Sequence, residues 1–276
     1  MSRLLLVMAL CAGPVLAQDG GGKDAAVRLP RSFALIVCGV SGDEPHYEKF
    51  WTLGSDLYYA LRDKCGYDTD RLFLLFEDKP AGQQIVHATS SKADIGKTFE
   101  QLKATLRPND KLLVFLAGHA DVEDGRHARY HLPGPDMTDE ELGKLLDTLP
   151  AKRIITVVTM PCSGYFMKHI AKPGRISITA TKRDKELSET VFPYCFVKAF
   201  IDETADQNAD GLLSVLELYR YSREKVLDFF LEKDLIPTEH AMIDDDGDGI
   251  GAREVDEKSK DGKVAEQEYF EIRIKG

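Results

Sequence analysis

The sequence predicts an α/β fold of three layers, with helices on both faces of a mostly parallel central sheet. Apolar, β-rich runs recur at 33–40, 71–76, 111–117, 153–160 and 175–181, each nearly continuous in hydrophobicity, as strands buried on both faces are. Amphipathic helical stretches separate them, which is the alternation of a doubly wound sheet. A chain of 276 residues that is 43% hydrophobic and 30% charged can also bury a core of that size, which excludes a disordered or collagen-like chain.

The first seventeen residues read as an export signal: Arg3, an apolar run over 4–12, and a small-residue cleavage site at Val15-Leu16-Ala17. That run is too short to span a bilayer, and no later stretch approaches eighteen apolar residues, so no stable membrane span is expected and the protein should be periplasmic or extracellular. Residues 18–30, rich in Gly, Asp, Lys and Ala, read as a linker, and 31–276 as the folded domain.

Within the domain, the run at 33–40 is followed by a helical pattern over 47–64, with Phe50, Leu53, Leu57 and Leu61 on one face. After the run at 71–76, residues 93–106 repeat the pattern with Ile95, Phe99, Leu102 and Leu106. Thr138 and Glu141 form a capping box that opens a helix through Leu149, with Leu142, Leu145 and Leu146 facing inward. Beyond the run at 175–181, 193–203 and 215–233 are helical in pattern, the second carrying Leu216, Tyr219, Val226 and Phe230.

A net charge of −10 without clustered Lys or Arg argues against a nucleic-acid partner. Cys38, Cys65, Cys162 and Cys195 remain after signal removal, too sparse for a disulfide scaffold. Cys38 and Cys195 lie in apolar patterns and read as core. No Cys/His spacing suits zinc, the His127 and His131 pair lying in a Pro/Gly-rich loop without further ligands, so no zinc site is expected, and His46, His87, His169 and His240 read as surface residues.

In doubly wound sheets the ligand site lies beyond the carboxyl ends of the strands. Two such ends carry chemistry. The run at 111–117 leads into Gly118-His119-Ala120-Asp121, and the run at 153–160 into Pro161-Cys162-Ser163-Gly164. A cysteine nucleophile needs an imidazole within reach to raise its thiolate fraction, and adjacent strand ends can supply one. A helix starting near Ser163 would favour the thiolate further.

Here the sequence resembles the caspase-fold cysteine peptidases, and among them bacterial secreted relatives of legumain, over 33–235. The resemblance rests on VFLAGHAD, on TVVTMPCSGYF and on the ITAT stretch that follows. It implies a three-layer αβα caspase-like fold in which Cys162 is the nucleophile and His119 the acid/base, with backbone N–H groups of Ala120 and Cys162 holding the oxyanion. The implied reaction is hydrolysis of a peptide or protein substrate through a thioester acyl-enzyme, with transfer to a competing amine as a variant. Asp43 and Glu189, after the first and fifth strands, would contact substrate.

The sequence departs from the family in four places. Ala120 stands where Gly is usual, and Met160-Pro161 replace an acidic residue and Ala. Ser163-Gly164 follow Cys162 directly, where the commoner pattern inserts one residue. The Arg-His pair with which legumain grips asparagine has no counterpart. The alternative reading is a catalytically inactive calcium-binding module of the same fold that acts by binding a protein.

Residues 206–217, DQNADGLLSVLE, match the EF-hand loop in register: Asp206, Asn208, Asp210, Ser214 and Glu217 as oxygen ligands, the Leu212 carbonyl as another, and Gly211 at the turn. A second acidic loop, 243–251, places Asp244, Asp246 and Asp248 at alternate positions before Gly249, but its twelfth position is Val255, with Glu254 beside it. Calcium in a structural role is the expected cofactor.

Overall fold

The computed structural model describes residues 29–79 and 83–272. The stretch expected to be a signal sequence (1–17) and most of the expected linker (18–30) lie outside the described residues. The central sheet has seven strands: β1 (Ser32–Cys38), β2 (Leu72–Phe76), β3 (Val86–Thr89), β4 (Lys111–Ala117), β8 (Arg153–Val158), β9 (Arg175–Thr179) and β11 (Met242–Asp244). Their spatial order is β11-β9-β8-β4-β1-β2-β3, and every pair is parallel except β11 against β9.

Helices cover both faces, giving the three-layer αβα architecture. One face packs on α1 (Glu44–Asp63), α5 (Phe192–Ala199) and α6 (Val215–Glu232) through Ala34, Ile36, Leu113, Phe115, Ile155 and Val157. The other packs on α2 (Lys92–Thr105), α3 (Asp139–Asp147) and α4 (Met167–Ile170) through Leu35, Val37, Val114, Leu116 and Val158. Alternate residues of each strand therefore feed opposite cores, which is why the strands read as unbroken apolar runs.

The five strands and the longer helices foreseen from the sequence are present with shifted ends. The strands stop short of the predicted 40, 160 and 181, because the chain turns at the carboxyl edge to build loops. Six short strands escaped the sequence reading along with β3's parallel edge position: β5 (Ala120–Glu123), β6 (His127–Tyr130) and β7 (Met137–Thr138) form a three-stranded sheet, and β10 (Leu212–Ser214) pairs antiparallel with β12 (Tyr269–Glu271). β11 is the sixth. Runs of two to four residues have too little pattern to declare themselves. A last short helix, α7 (Lys263–Gln267), precedes β12.

Among the described residues no helix is long and apolar enough to cross a membrane. None of the four described cysteines is in a disulfide. Cys38 and Cys195 are core, as their apolar context predicts.

Candidate active site and acidic loops

β4 and β8 are neighbours, with Leu116 opposite Val158, so the segments bearing His119 and Cys162 leave adjacent strand ends. Their side chains have different neighbours. The His119 ring packs edge-on against Phe50 and His46 of α1, at centroid distances of 5.1 and 4.8 Å. Its Nε2 lies 3.0 Å from the Ser41 carbonyl, an acceptor, so this nitrogen carries the proton. Burial holds the imidazole below its ordinary pKa, and the neighbouring His46 adds to this, while the Ser41 bond opposes it.

Cys162 belongs instead to the core on the α3 and α4 side, with Met160, Phe166, Leu142 and Ile170. It is fully buried at 0% exposure, and no hydrogen bond joins its Sγ to His119 or to any other described residue. Burial pushes its thiol up to about 12, and the carboxylates of Asp121 and Asp139 push the same way. At neutral pH it is a thiol, not a thiolate. Its backbone N–H donates to the Glu186 carbonyl at 2.8 Å and is therefore already engaged, not directed at a vacant oxyanion position. The helix foreseen at Ser163 is one 3₁₀ turn, Ser163–Tyr165, which offers no helix dipole of consequence. Ala120, the other oxyanion candidate, opens β5 opposite Tyr130.

The motif residues after Cys162 have a structural role. The Ser163 hydroxyl lies 3.1 Å from Thr181 Oγ1 and accepts from the Thr181 N–H at 3.0 Å, while the Gly164 N–H donates to Thr181 Oγ1 at 3.1 Å. A Cβ on Gly164 would come within 2.2 Å of the Lys182 carbonyl carbon. The Ser-Gly and ITAT stretches thus pin the turn after β8 to the end of β9. Cys162 is held inside that turn with φ of +53°, in the left-handed region.

Asp43 and Glu189 are brought together by a residue read as a mere surface histidine. His46 Nδ1 lies 2.6 Å from Asp43 Oδ1, and its Nε2 lies 3.6 Å from Glu189 Oε2. Lys49 also pairs with Glu189, at 3.0 Å. Asp43 caps α1, accepting the His46 N–H at 2.9 Å, and these hydrogen bonds hold its carboxyl below the usual range. Of the sequence-chosen residues, His119, Asp43 and Glu189 therefore converge on His46, and Cys162 stands apart.

The two acidic loops share one hydrogen-bond pattern. In the first, the Asp210 N–H donates to Asn208 Oδ1 (2.9 Å), the Gly211 N–H to Asp206 Oδ2 (2.9 Å) and the Leu212 N–H to Asp210 Oδ1 (2.8 Å). In the second, Asp248 N–H donates to Asp246 Oδ1 (3.0 Å), Gly249 N–H to Asp244 Oδ2 (2.7 Å) and Ile250 N–H to Asp248 Oδ1 (2.7 Å). Gly211 and Gly249 sit at the same turn with φ of +80° and +79°. Each turn needs the freedom that glycine has.

Glu217 closes the first loop, accepting from the Ser214 N–H (2.9 Å) and the Asn208 N–H (3.4 Å). The Ser214 hydroxyl completes the capping box of α6, a helix-starting role beside the ligand role given to it. In the second loop neither Val255 nor Glu254 takes the twelfth-position role: Val255 packs on the core and Glu254 pairs with Arg223. Asp261 comes in instead, its oxygen within 4.8 Å of those of Asp244 and Asp246. Asp245 brings it there, accepting from the N–H groups of Gly262, Val264 and Ala265 at the start of α7. Burial, with Asp244 and Asp246 alongside, raises Asp261 to about 6. The sequence reading missed it; the absent acid at position twelve was the signal to search downstream for a replacement.

Two other readings are corrected. His127 does have further partners, Asp139 and His169, supplied by distant segments. His169, with 22% side-chain exposure, is not a free surface residue, and His240 is bonded to Glu186.

No family model matches the chain, and no curated protein matches it at a significant level. The likeness to caspase-fold peptidases rests on the motifs alone.

Proposed function

We propose that this protein is an exported, calcium-stabilised α/β module that acts by binding a peptide or protein partner, with a scaffold like that of cysteine peptidases but without their chemistry. The observation that carries this reading is the burial of Cys162 in the core opposite the one His119 leans on. A nucleophile must meet a carbonyl and an imidazole together. The Cys162 thiol is buried and shares no hydrogen bond with His119.

The pinned turn gives the physical reason. Ser163 and Gly164 are locked to Thr181, and the family pattern places its cysteine one residue further from that pair. Counting back, the equivalent position is Pro161, which has no nucleophilic atom.

Binding is assigned to the carboxyl edge, where Asp43 and Glu189 flank His46 with side-chain exposures of 56% and 46%. Exposed carboxylates around a shallow histidine cluster suit a basic peptide side chain. Calcium, held by Asp206, Asn208, Asp210 and Glu217 in one loop and by Asp244, Asp246, Asp248 and Asp261 in the other, supplies positive charge to carboxylates that otherwise repel one another. The approach of one oxygen each from Asp244, Asp246 and Asp261 to within 4.8 Å of one another supports a cation there.

A second reading, the cysteine endopeptidase, is favoured by one observation, the adjacency of β4 and β8. It requires the turn at Cys162 to rebuild. Iodoacetamide separates the two. For the binding module, Cys162 stays unmodified until the protein unfolds, His119→Ala leaves the native protein's labelling unchanged, and a positional peptide library shows no cleavage. Immobilised Lys- and Arg-containing peptides then bind, and Glu189→Gln weakens them. Rapid labelling of Cys162 that slows in His119→Ala, with cleavage lost in Cys162→Ala, would establish the peptidase.

A further inference from the structure

His127 on β6, Asp139 at the start of α3 and His169 on α4 bring one donor atom each to within 4.8 Å of one another. They lie on the α3 and α4 side of the molecule and share no residue with the carboxyl edge or the acidic loops. Asp139 is fully buried at 0% exposure. Its Oδ1 accepts from the Glu140 N–H at 2.9 Å and lies 3.1 Å from His127 Nδ1. Its Oδ2 has no hydrogen-bond partner, and neither has the buried His169 Nε2, which faces it at 3.6 Å.

Buried polar atoms are nearly always partnered, because leaving one unsatisfied costs its full desolvation. Here a carboxylate oxygen and an imidazole nitrogen are both unpartnered and turned toward each other at a separation too long for a hydrogen bond. Two ligands bound about 2.1 Å from one tetrahedral ion stand about 3.4 Å apart. The separations of 3.1 and 3.6 Å bracket that value.

We infer that His127, Asp139 and His169 form a binding site for a divalent transition cation, zinc by preference. Two imidazoles and one carboxylate suit zinc and not calcium, which takes oxygen donors. Three protein ligands leave a coordination position for water, and the His127 and His169 side chains are partly exposed, at 36% and 22%, above the buried donor atoms of Asp139 and His169.

The fold holds the donors in place. The capping box of Thr138 and Glu141 fixes the first turn of α3 and so the Asp139 carboxylate. The backbone at His169 runs so close to α3 that a Cβ on Gly143 would meet the His169 carbonyl oxygen at 2.6 Å, so only glycine permits this approach. The His127 and His169 rings stack at 6.2 Å. The ion would tie β6, α3 and α4 together around the buried Cys162.

The test is a zinc titration of the full chain, calorimetric and at saturating calcium so that the oxygen-only loops are filled. One equivalent binds, raises the melting temperature, and is released by a zinc chelator. Cobalt bound in its place gives the visible absorption of a nitrogen- and oxygen-ligated low-coordinate ion. His169→Gln and, separately, Asp139→Asn each weaken zinc at least tenfold, while Cys162→Ala leaves it unchanged. Should Asp139→Asn loosen the start of α3, His169→Gln, whose melting without metal is expected to match the parent, decides the matter. Zinc affinity unaltered in His169→Gln, or no heat at millimolar zinc, overturns the site and leaves the three residues as a structural ion-pair cluster.

Discussion

The carboxyl edge of the sheet and the two acidic loops were both marked by sequence motifs, yet at the edge Cys162 packs away from the other marked residues, while in the loops the marked side chains accept from backbone N–H groups of their own loop. An acidic loop is local. Its acidic residues alternate along one stretch of chain and one glycine sets the turn, so spacing fixes the hydrogen bonds within the loop. The edge is not local. His119 and Cys162 come from different strands, and which face each side chain joins depends on the turns that follow. Cys162 adjoins the pinned Ser163-Gly164 pair, and that turn holds its thiol in the core of α3 and α4.

Calcium removal gives the largest contrast. At a hundredfold excess over its dissociation constant, one bound ion contributes about 2.7 kcal/mol, roughly a 5–10 °C rise in melting temperature for a domain of this size. Melting in calcium against a chelator should show at least that difference, and Asp206→Asn and Asp261→Asn should each remove part of it. A melting curve indifferent to calcium would erase the contrast, leaving the loops as polar turns.

At the edge, Cys162→Ser should cost about 1–3 kcal/mol in denaturant unfolding, because it buries a hydroxyl where the sulfur has no hydrogen-bond partner. A nucleophile facing a cleft would tolerate serine with little loss of stability. A smaller effect is expected at the cap of α1: Asp43→Ala should lower the melting temperature by about 2–4 °C, and Asp43→Asn by less, since asparagine still caps. An Asp43 that serves only a ligand would show neither change.

The smallest effect concerns pH. Burial opposes the charged form of His119, so the unfolded chain takes up the proton more readily than the folded one. That contribution costs no stability above the ordinary histidine range near 6.5 and grows as the pH falls through it. His119→Gln, which can still donate to the Ser41 carbonyl, should flatten the decline in stability between about pH 6.5 and 5. An unchanged slope would mean that the ring is more open to water than its contacts with Phe50 and His46 imply.

The sheet was legible because five apolar runs sit between amphipathic helices whose stripes, such as Phe50, Leu53, Leu57 and Leu61, point to a core. The turn of the first acidic loop was legible in its spacing and its Gly211, though Asp206, Asp210 and Glu217 do not gather into a close donor group. Asp261 was not legible, since it reaches Asp244 only through the hold of Asp245 on α7. His169 and Asp139 were equally hidden: nothing in their spacing says that α3 and α4 touch at Gly143. The fate of Cys162 was written in its adjacency to Ser163, but its meaning depends on the anchoring of Ser163 to Thr181, which no local pattern displays.

The outermost strand of the large sheet has a bearing on how any partner can attach. An open flank of backbone donors and acceptors invites another chain to add itself as a further strand. Ile243 of β11 instead exchanges both of its outward groups with Ala252, at 2.9 and 2.7 Å, so the chain folds its own segment over that border. Recruitment by strand annexation is closed off along this stretch, and with it one route to aggregation.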